Sequence, residues 1–230
     1  GIEAVVAISP EHVRLVQSSL RIYRNFQGLL DYSERDTLTG LLNRKTFDEN
    51  LGKILMGLSA SESNTTADAQ TPPRRRQNED GKHWLAVVDV DHFKRVNDQF
   101  GHLYGDEVLL LLARIMQQSF RHQDRLFRFG GEEFVIILRA TSEDEVSVAL
   151  ERLRSSVEAY LFPQVGRVTV SVGYTGINSG DTIPDIVGRA DDALYVAKES
   201  GRNQVSSYER LLASGKVSPR EAPNSDIELF

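Results

Sequence analysis

The chain has 230 residues, a net charge of −6 at pH 7 and an isoelectric point near 5.5, and 40% of its residues are hydrophobic. These values suit one domain with appendages and argue against general binding to nucleic acid or to an anionic membrane. The absence of cysteine excludes disulfides, thiolate metal sites and a cysteine nucleophile, and it fits a cytoplasmic protein. No apolar run reaches the roughly 20 residues that span a bilayer, so we expect no direct membrane contact from this chain.

Residues 1–35 predict a short strand-like segment and then a linker helix over residues 11–32. Two apolar stripes run along this helix: Val13, Val16, Leu20, Tyr23 and Leu30 form one, and Leu15, Ile22, Phe26 and Leu29 form the other. A helix that is apolar on two sides is typical of a coiled-coil linker, and a helix packed on its own domain is the alternative. Because the chain begins with Gly1, we expect that an upstream sensory or receiver module has been removed.

The first half of the main domain contains a long polar segment between two regular elements. A helix is predicted over residues 45–56 and is followed at 59–82 by a polar segment that includes Pro72-Pro73. This composition is typical of a flexible insertion. Residues 84–90 form a continuous apolar run, which predicts a buried central strand.

The elements after this strand alternate between helical and extended patterns. They are predicted as helices at 92–98 and 106–120, a hairpin at 125–138, a helix after the capping box at 142–145, a strand at 167–177, a helix at 185–200 and an edge strand at 204–207. This order predicts an α+β domain over residues 36–207, with helices flanking a central, mainly antiparallel sheet. Residues 208–230 are predicted to form a loose polar tail.

Acidic residues occur at two points that such a sheet could bring together. Asp89 and Asp91 stand at the end of the central strand, and Glu132 and Glu133 follow the Gly130-Gly131 turn of the hairpin. If the hairpin pairs beside the central strand, these carboxylates meet at one edge of the sheet. Hard carboxylate oxygens without His or Cys nearby favour Mg²⁺ or Mn²⁺. Taken alone, the GGEE turn could be a solvated hairpin turn, and Asp91 could be a helix cap.

Five segments in order resemble the GGDEF family of diguanylate cyclases. They are DTLTGLLNR at 36–44, DVDHFKRVNDQFGHLYGDE at 89–107, RFGGEEF at 128–134, VTVSVGYTG at 168–176 and ADDALYVAKESGRN at 190–203. The resemblance implies a palm-like nucleotide-cyclase sandwich, similar to class III cyclases and polymerases. It also implies that two GTP molecules are condensed into cyclic di-GMP and two pyrophosphates by metal-assisted attack of a 3′-hydroxyl on an α-phosphate.

The resemblance assigns a role to each residue of the candidate active site. Asp89 and Glu132 match the metal ligands, and the Val90 carbonyl matches a backbone ligand, with two Mg²⁺ or Mn²⁺ ions per site. Glu133 would complete the second-metal environment and help to deprotonate the attacking hydroxyl. The positions that recognise guanine are Asn97 and Asp106. The triphosphate would be held by His92, Phe93, Lys94, Lys198 and Arg202, with Gly130 and Gly131 allowing its close approach.

The resemblance also implies a second, inhibitory site for the product. Arg121 and Asp124 stand in the register of the family's RxxD motif relative to GGEEF, and Arg152 lies where the family often supplies another arginine. A surface ion pair is the alternative interpretation of Arg121 and Asp124. The expected partners are GTP, cyclic di-GMP and a second copy of the chain, joined through the N-terminal helix and facing active sites. The competing hypothesis is a non-catalytic receptor for GTP or cyclic di-GMP, or a dimerising signalling relay.

Overall fold

The structure is a computed structural model that describes residues 12–21, 23, 34–65 and 82–219. Helix α1 comprises residues 12–21, whose side chains are all exposed. The predicted strand-like segment at 1–9, most of the helix beyond residue 21 and the end of the tail lie outside the described residues. Within the described part of the chain, no helix has both the length and the hydropathy needed to span a membrane.

The main domain is built from both helices and strands. The helices are α2 (Arg44–Thr65), α3 (Phe93–Phe100), α4 (His102–Ser119), α5 (Glu143–Ala159), α6 (Ile183–Glu199) and α7 (Tyr208–Ala213). The strands are β1 (Leu42–Asn43), β2 (Lys82–Val90), β3 (Arg125–Gly130), β4 (Glu133–Ala140), β5 (Leu161–Phe162), β6 (Gly166–Arg167), β7 (Val170–Ile177) and β8 (Val205–Ser207).

Six of these strands form one sheet in the order β1-β3-β4-β2-β7-β8. The three central pairings, β3 with β4, β4 with β2 and β2 with β7, are antiparallel. The short edge strands β1 and β8 pair in parallel with their neighbours. The predicted α+β fold with a mainly antiparallel sheet is therefore confirmed, and β2 is its central strand, as the apolar run indicated.

Helices cover both faces of the sheet. Successive residues of β2 point to opposite faces, so this strand contributes to the core on each side. Ala86 and Val88 face a core that α4 and α5 complete with Leu112 and Leu150. Leu85 and Val87 face the opposite core, to which α2 and α6 contribute Phe47, Leu51, Ile186 and Ala190. Burial on both faces explains why this strand is a continuous apolar run.

Several predicted boundaries were wrong. Helix α2 continues to Thr65, into the segment predicted as a flexible insertion, while residues 66–81 lie outside the described residues. Helix α4 begins at His102, four residues before the predicted start at residue 106, and includes Gly105. The short strand β1 was missed because two residues carry no periodic pattern.

The prediction of a loose tail from residue 208 was also wrong at its start. Residues Tyr208–Ala213 form α7, which Ser207 caps by accepting a hydrogen bond from the Arg210 backbone N–H at 3.3 Å. Tyr208 and Leu211 are buried against Ala193 of α6. The polar composition of the region hid this helix because only two of its side chains enter the core.

Candidate active site

The central acids meet at one edge of the sheet. The antiparallel register of β2 and β4 places Asp89 directly opposite Glu133, at the end of β2 and the start of β4. Glu132 lies in the turn that precedes β4. The expected pairing of the hairpin beside the central strand is thus confirmed, and it brings both turn carboxylates to the buried Asp89.

The turn that carries these acids depends on its glycines and on one arginine. Gly130 and Gly131 have φ values of 135° and 54°, which residues with a Cβ rarely adopt. The Arg128 side chain donates to the Gly131 carbonyl from Nε at 3.2 Å and from Nη2 at 2.8 Å. Its Nη1 donates to Asp36 Oδ1 at 2.9 Å. A single guanidinium therefore fixes the turn from outside the acid cluster.

Burial and mutual repulsion make the acid cluster a site for positive charge. Burial raises the pKa of Asp89, although the Lys198 ammonium, at 2.8 Å from Asp89 Oδ1, opposes the shift. The pKa of Glu132 is also raised, first by burial and then by the charges of Asp89 and Glu133. Both carboxylates therefore gain from a cation placed between them.

The residues present fit the protein's share of a magnesium-type site. Among the described residues, no group of three or more His, Cys, Asp or Glu side chains is arranged around a single point as a preformed metal site. Magnesium is usually held by one or two carboxylates, with substrate phosphates and water as the other ligands. Asp89 and Glu132 match that donor set, and Val90 ends β2 beside them.

The predicted guanine residues lie on the two helices that follow β2. Asn97 lies on α3 and Asp106 lies one residue beyond Gly105 on α4. A Cβ atom built on Gly105 would lie 2.0 Å from Asn97 Oδ1 and 3.2 Å from Phe93 Cζ. The Asn97 amide therefore packs directly against the α4 backbone next to Asp106, at a distance that only glycine permits.

The predicted phosphate residues lie at two helix ends, the start of α3 and the end of α6. His92 has a left-handed backbone with φ 57° and ψ 28°, and Phe93, the first residue of α3, is buried beside it. Lys94 is exposed on the first turn of α3, and Lys198 contacts Asp89 from the last turn of α6. Arg202, just beyond α6, also has a left-handed backbone, with φ 63°.

Asp91 does not cap helix α3, and its carboxylate oxygens already accept hydrogen bonds from the protein. No side chain caps α3 by a hydrogen bond at His92, the residue that precedes the helix. The Asp91 carboxylate instead turns inward, where it is 6% exposed and accepts from the hydroxyls of Thr169 and Ser171, each at 2.7 Å. The interpretation of Asp91 as a helix cap is therefore corrected.

The three residues predicted to bind product line one cavity at the opposite end of the hairpin. Arg121, Asp124 and Arg152 border a space of about 350 Å³, together with Arg139, Asp144 and Glu145. Asp124 Oδ2 accepts from the Arg121 backbone N–H at 2.9 Å, so the two residues form a compact turn. The six residues of β3 separate this cavity from the GGEE turn by roughly 17–20 Å.

Sequence reasoning missed four residues that organise the site: Asp36, Gly105, Arg128 and Asn203. All four lie within the quoted motifs, but their partners are distant in the sequence or are backbone atoms. An arginine two residues before the Gly130-Gly131 turn was the one local indication of the role of Arg128, whose side chain is 11% exposed. The other roles depend on packing between elements.

Comparisons with known proteins agree with the geometry. The family described as diguanylate cyclase, GGDEF domain, matches residues 33–204. Diguanylate cyclase DgcP of Pseudomonas aeruginosa is 39% identical over 173 residues, which cover 74% of this chain and 23% of that protein. For diguanylate cyclase DgcM of Escherichia coli the identity is 36%, with 75% of this chain and 38% of that protein covered. The chain thus spans well under half the length of these relatives.

Solved structures give the same result for the fold. The crystal structure of the coiled coil and GGDEF domain of DgcB from Caulobacter crescentus, in complex with c-di-GMP, superimposes with a TM-score of 0.71 and 27% identity. The match covers 86% of this chain and 100% of that chain. Because the family match extends over most of the chain and includes the motifs that meet at the sheet edge, the chain belongs to the GGDEF diguanylate cyclase family.

Proposed function

We propose that this protein is a diguanylate cyclase that condenses two GTP molecules into cyclic di-GMP and two pyrophosphates. The observation that carries the proposal is the register that sets Asp89 opposite Glu133 at the GGEE turn, with the Lys198 ammonium 2.8 Å from Asp89. Acids and a cation at one sheet edge suit a reaction in which phosphate charge must be held and a hydroxyl must lose its proton.

The substrate would be held at both of its ends. Asn97 and Asp106 would bind the guanine base, because a carboxylate can accept from N1–H and the N2 amine together, which adenine does not offer. Lys94, Lys198 and Arg202 would bind the triphosphate, together with the backbone at His92 and Phe93. Gly130 and Gly131 would let the substrate approach the turn closely, because neither has a side chain.

Enzymes of this family generally use a divalent metal ion. We propose two Mg²⁺ or Mn²⁺ ions per site, held by Asp89, Glu132, Glu133 and the Val90 carbonyl. When bound, such ions polarise the α-phosphate and lower the pKa of the attacking hydroxyl. Glu133, exposed at the start of β4, would accept the proton of that hydroxyl. Lys198, whose ammonium is 2.8 Å from Asp89 in this structure, would donate to a phosphate oxygen in the substrate complex.

Each domain would bind one GTP, so two domains would face each other with two-fold symmetry. The exposed stripe Val13, Val16, Leu20 and Tyr23 on the N-terminal helix supports pairing through that helix. Pairing would raise the local concentration of the second domain. We further propose that an upstream sensory or receiver module controls this arrangement, and that the protein acts in the cytoplasm, where GTP is available.

The product would bind the cavity lined by Arg121, Asp124 and Arg152 and inhibit the enzyme. Arginine suits this task because its planar fork can donate to guanine O6 and N7 together. A site remote from the GGEE turn can bind product while the active site is still occupied, so inhibition there would be non-competitive with GTP.

The proposal is tested by incubating purified protein with GTP and Mg²⁺ and separating the products by chromatography. We expect cyclic di-GMP from the wild type and at least a hundredfold loss of turnover in Glu133→Gln and Asp89→Asn, because each removes about 3 kcal/mol or more of transition-state stabilisation. Asp48→Asn, an exposed acid on α2, is the matched control. Circular dichroism verifies folding. Nucleotide binding without product would favour the receptor hypothesis instead.

A further inference from the structure

The buried Asp91 carboxylate links three segments of the chain. Its Oδ1 accepts from the Ser171 hydroxyl at 2.7 Å. Its Oδ2 accepts from the Thr169 hydroxyl at 2.7 Å and from the backbone N–H of Asn203 at 3.0 Å. Hydrogen bonds to a carboxylate are stronger than those between neutral groups, and burial shields them from water. Asp91 therefore ties the start of β7 to the loop that follows α6.

That loop has an unusual backbone. Arg202 and Asn203 have φ values of 63° and 46°, and both carry a Cβ. A left-handed conformation is disfavoured for such residues, and two in succession persist only where their surroundings hold them. The Arg202 backbone N–H donates to the Ala197 carbonyl at 3.0 Å, which anchors the N-terminal side of the pair. The bond from Asn203 to Asp91 anchors the other side.

The Asn203 side chain is held as well. Its Nδ2 donates to Glu158 Oε1 at 2.8 Å, and its Oδ1 accepts from Arg154 at 2.8 Å. Arg154 and Glu158 also form an ion pair at 2.7 Å. Helix α5 therefore supports the loop from its outer side, while Asp91 holds the backbone from the protein interior.

The restrained loop carries one of the proposed triphosphate ligands. Arg202 lies four residues beyond Lys198, whose ammonium is 2.8 Å from Asp89 Oδ1, so the loop continues from the end of α6 that reaches the acids of the site. An arginine side chain has several rotatable bonds, and its own backbone conformation decides the direction in which it leaves the chain. The Asn203 backbone N–H belongs to the peptide unit that follows Arg202. The hydrogen bond that holds this N–H therefore also fixes the direction of the Arg202 side chain.

We propose that Asp91 is a positioning residue for substrate binding, which acts by holding the Asn203 N–H so that Arg202 presents its guanidinium to the triphosphate. This inference rests on the proposed function, in which Arg202 binds that group. Asp91 contributes to substrate affinity through Arg202 and has no contact of its own with the nucleotide. Asp89, two residues earlier, would take part in the reaction itself, whereas Asp91 fixes the conformation of the loop.

A double-mutant cycle tests the proposal. Calorimetry with a non-hydrolysable GTP analogue and Mg²⁺ gives the dissociation constant for the wild type, Asp91→Ala, Arg202→Ala and the double variant. We expect each single variant to weaken binding by about tenfold or more, the typical loss for a charged hydrogen bond. The double variant should bind no more weakly than Arg202→Ala, because both changes remove the same interaction.

Matched variants separate positioning from a general loss of stability. Ser171→Ala removes the partner of Asp91 Oδ1 and leaves the bond to Asn203 in place, so its affinity should stay within about twofold of the wild type. Asp91→Asn keeps one oxygen acceptor and should restore most of the affinity lost in Asp91→Ala. In turnover assays the Asp91 variants should raise KM more than they lower kcat.

A pair of substitutions at Asn203 tests the same idea if Asp91→Ala fails to fold. Asn203→Gly and Asn203→Val both remove the side-chain amide, but only valine opposes the left-handed backbone. We expect about tenfold weaker analogue binding for valine and less than about threefold for glycine. Equal affinities for this pair, or additive losses in the cycle, overturn the proposal.

Failure of the proposed function has a different signature. If the wild type makes no cyclic di-GMP from GTP, the cyclase assignment fails, whatever the binding cycle shows. If the wild type is active but Arg202→Ala binds the analogue normally, then Arg202 does not bind the triphosphate, and the positioning role of Asp91 is overturned while the cyclase assignment stands.

Discussion

Arg128 and Asp36 form an ion pair, with 2.9 Å between Nη1 and Oδ1, that joins the start of the domain to the GGEE turn. The two residues are 92 positions apart in the sequence. The same guanidinium binds the Gly131 carbonyl, so the GGEE turn is tied to Asp36, near the N-terminal end of the main domain. A change in the position of Asp36 would therefore change the position of the turn that carries Glu132 and Glu133.

The first prediction is that Arg128→Met lowers turnover by at least tenfold and the free energy of unfolding by about 1–3 kcal/mol. The physical reason is that Asp36 and the Gly131 carbonyl both lose a charged donor. Arg125→Met, an exposed arginine on the same strand, is the control and should change stability by less than about 0.5 kcal/mol. Initial rates and urea unfolding measure both effects. Wild-type turnover in Arg128→Met would mean that the turn holds its shape without this contact.

The second prediction concerns pH. Burial by itself would raise the pKa of Asp36, but hydrogen bonds from Thr39 and Arg128 outweigh it, and the pKa lies below its usual value of 3.8. A carboxyl with a lower pKa in the folded state adds stability above its unfolded pKa and loses it as pH falls through the folded value.

We therefore expect Asp36→Asn to be less stable than the wild type at pH 7, with the difference shrinking below about pH 4. Urea unfolding at pH 7, 4 and 3 measures the difference. A constant difference across this range would show that the charge of Asp36 is not what the variant loses.

The third prediction concerns base selection. Gly105→Ala should lower the ratio of kcat/KM for GTP over ATP by about tenfold or more, because the new methyl would displace the Asn97 amide. Gly52→Ala is a matched control, since Gly52 is also helical and a Cβ there would meet nothing within 4 Å. Steady-state kinetics with both nucleotides give the ratio. An unchanged ratio in Gly105→Ala would exclude Asn97 from base recognition.

The fourth prediction concerns inhibition by the product. Micromolar cyclic di-GMP should slow the wild type, and Arg121→Ala should remove the inhibition without lowering the uninhibited rate. Arg114→Ala, an exposed arginine on α4 away from the cavity, controls for the loss of one positive charge. Initial rates at several product concentrations provide the comparison. Inhibition of Arg121→Ala as strong as that of the wild type would mean that the Arg121 side chain does not bind the inhibitory product.

The fifth prediction concerns helix α7. Leu211→Ala should lower the free energy of unfolding by about 2–3 kcal/mol, because it opens a cavity beneath the helix where Leu211 is 9% exposed. Leu212→Ala is the neighbouring control, with an exposure of 36%, and should cost less than about 1 kcal/mol. Denaturant unfolding compares the two. Equal stabilities would mean that residues 208–213 do not belong to the folded domain.

The sequence by itself determined the central features of the sheet and the identity of the acids. The continuous apolar run at 84–90 predicted a central strand buried on both faces, and the Gly130-Gly131 pair between two strand-like runs predicted a tight hairpin. Hydrophobic periodicity and turn chemistry are local properties, so they can be recognised in a window of a few residues. The motifs then identified the family, because their residues recur in a set order.

The tertiary structure alone decided which residues support the site. Asp91 precedes a helix and has the chemistry of a cap, but it turns inward because Ser171, Thr169 and the Asn203 amide lie beneath it. Arg128 forms an ion pair with Asp36, which is 92 positions away in the sequence. Asn97 packs on Gly105 because helices α3 and α4 meet there. A buried polar group takes whichever partners the fold brings within about 3 Å, and those partners have no fixed spacing along the chain.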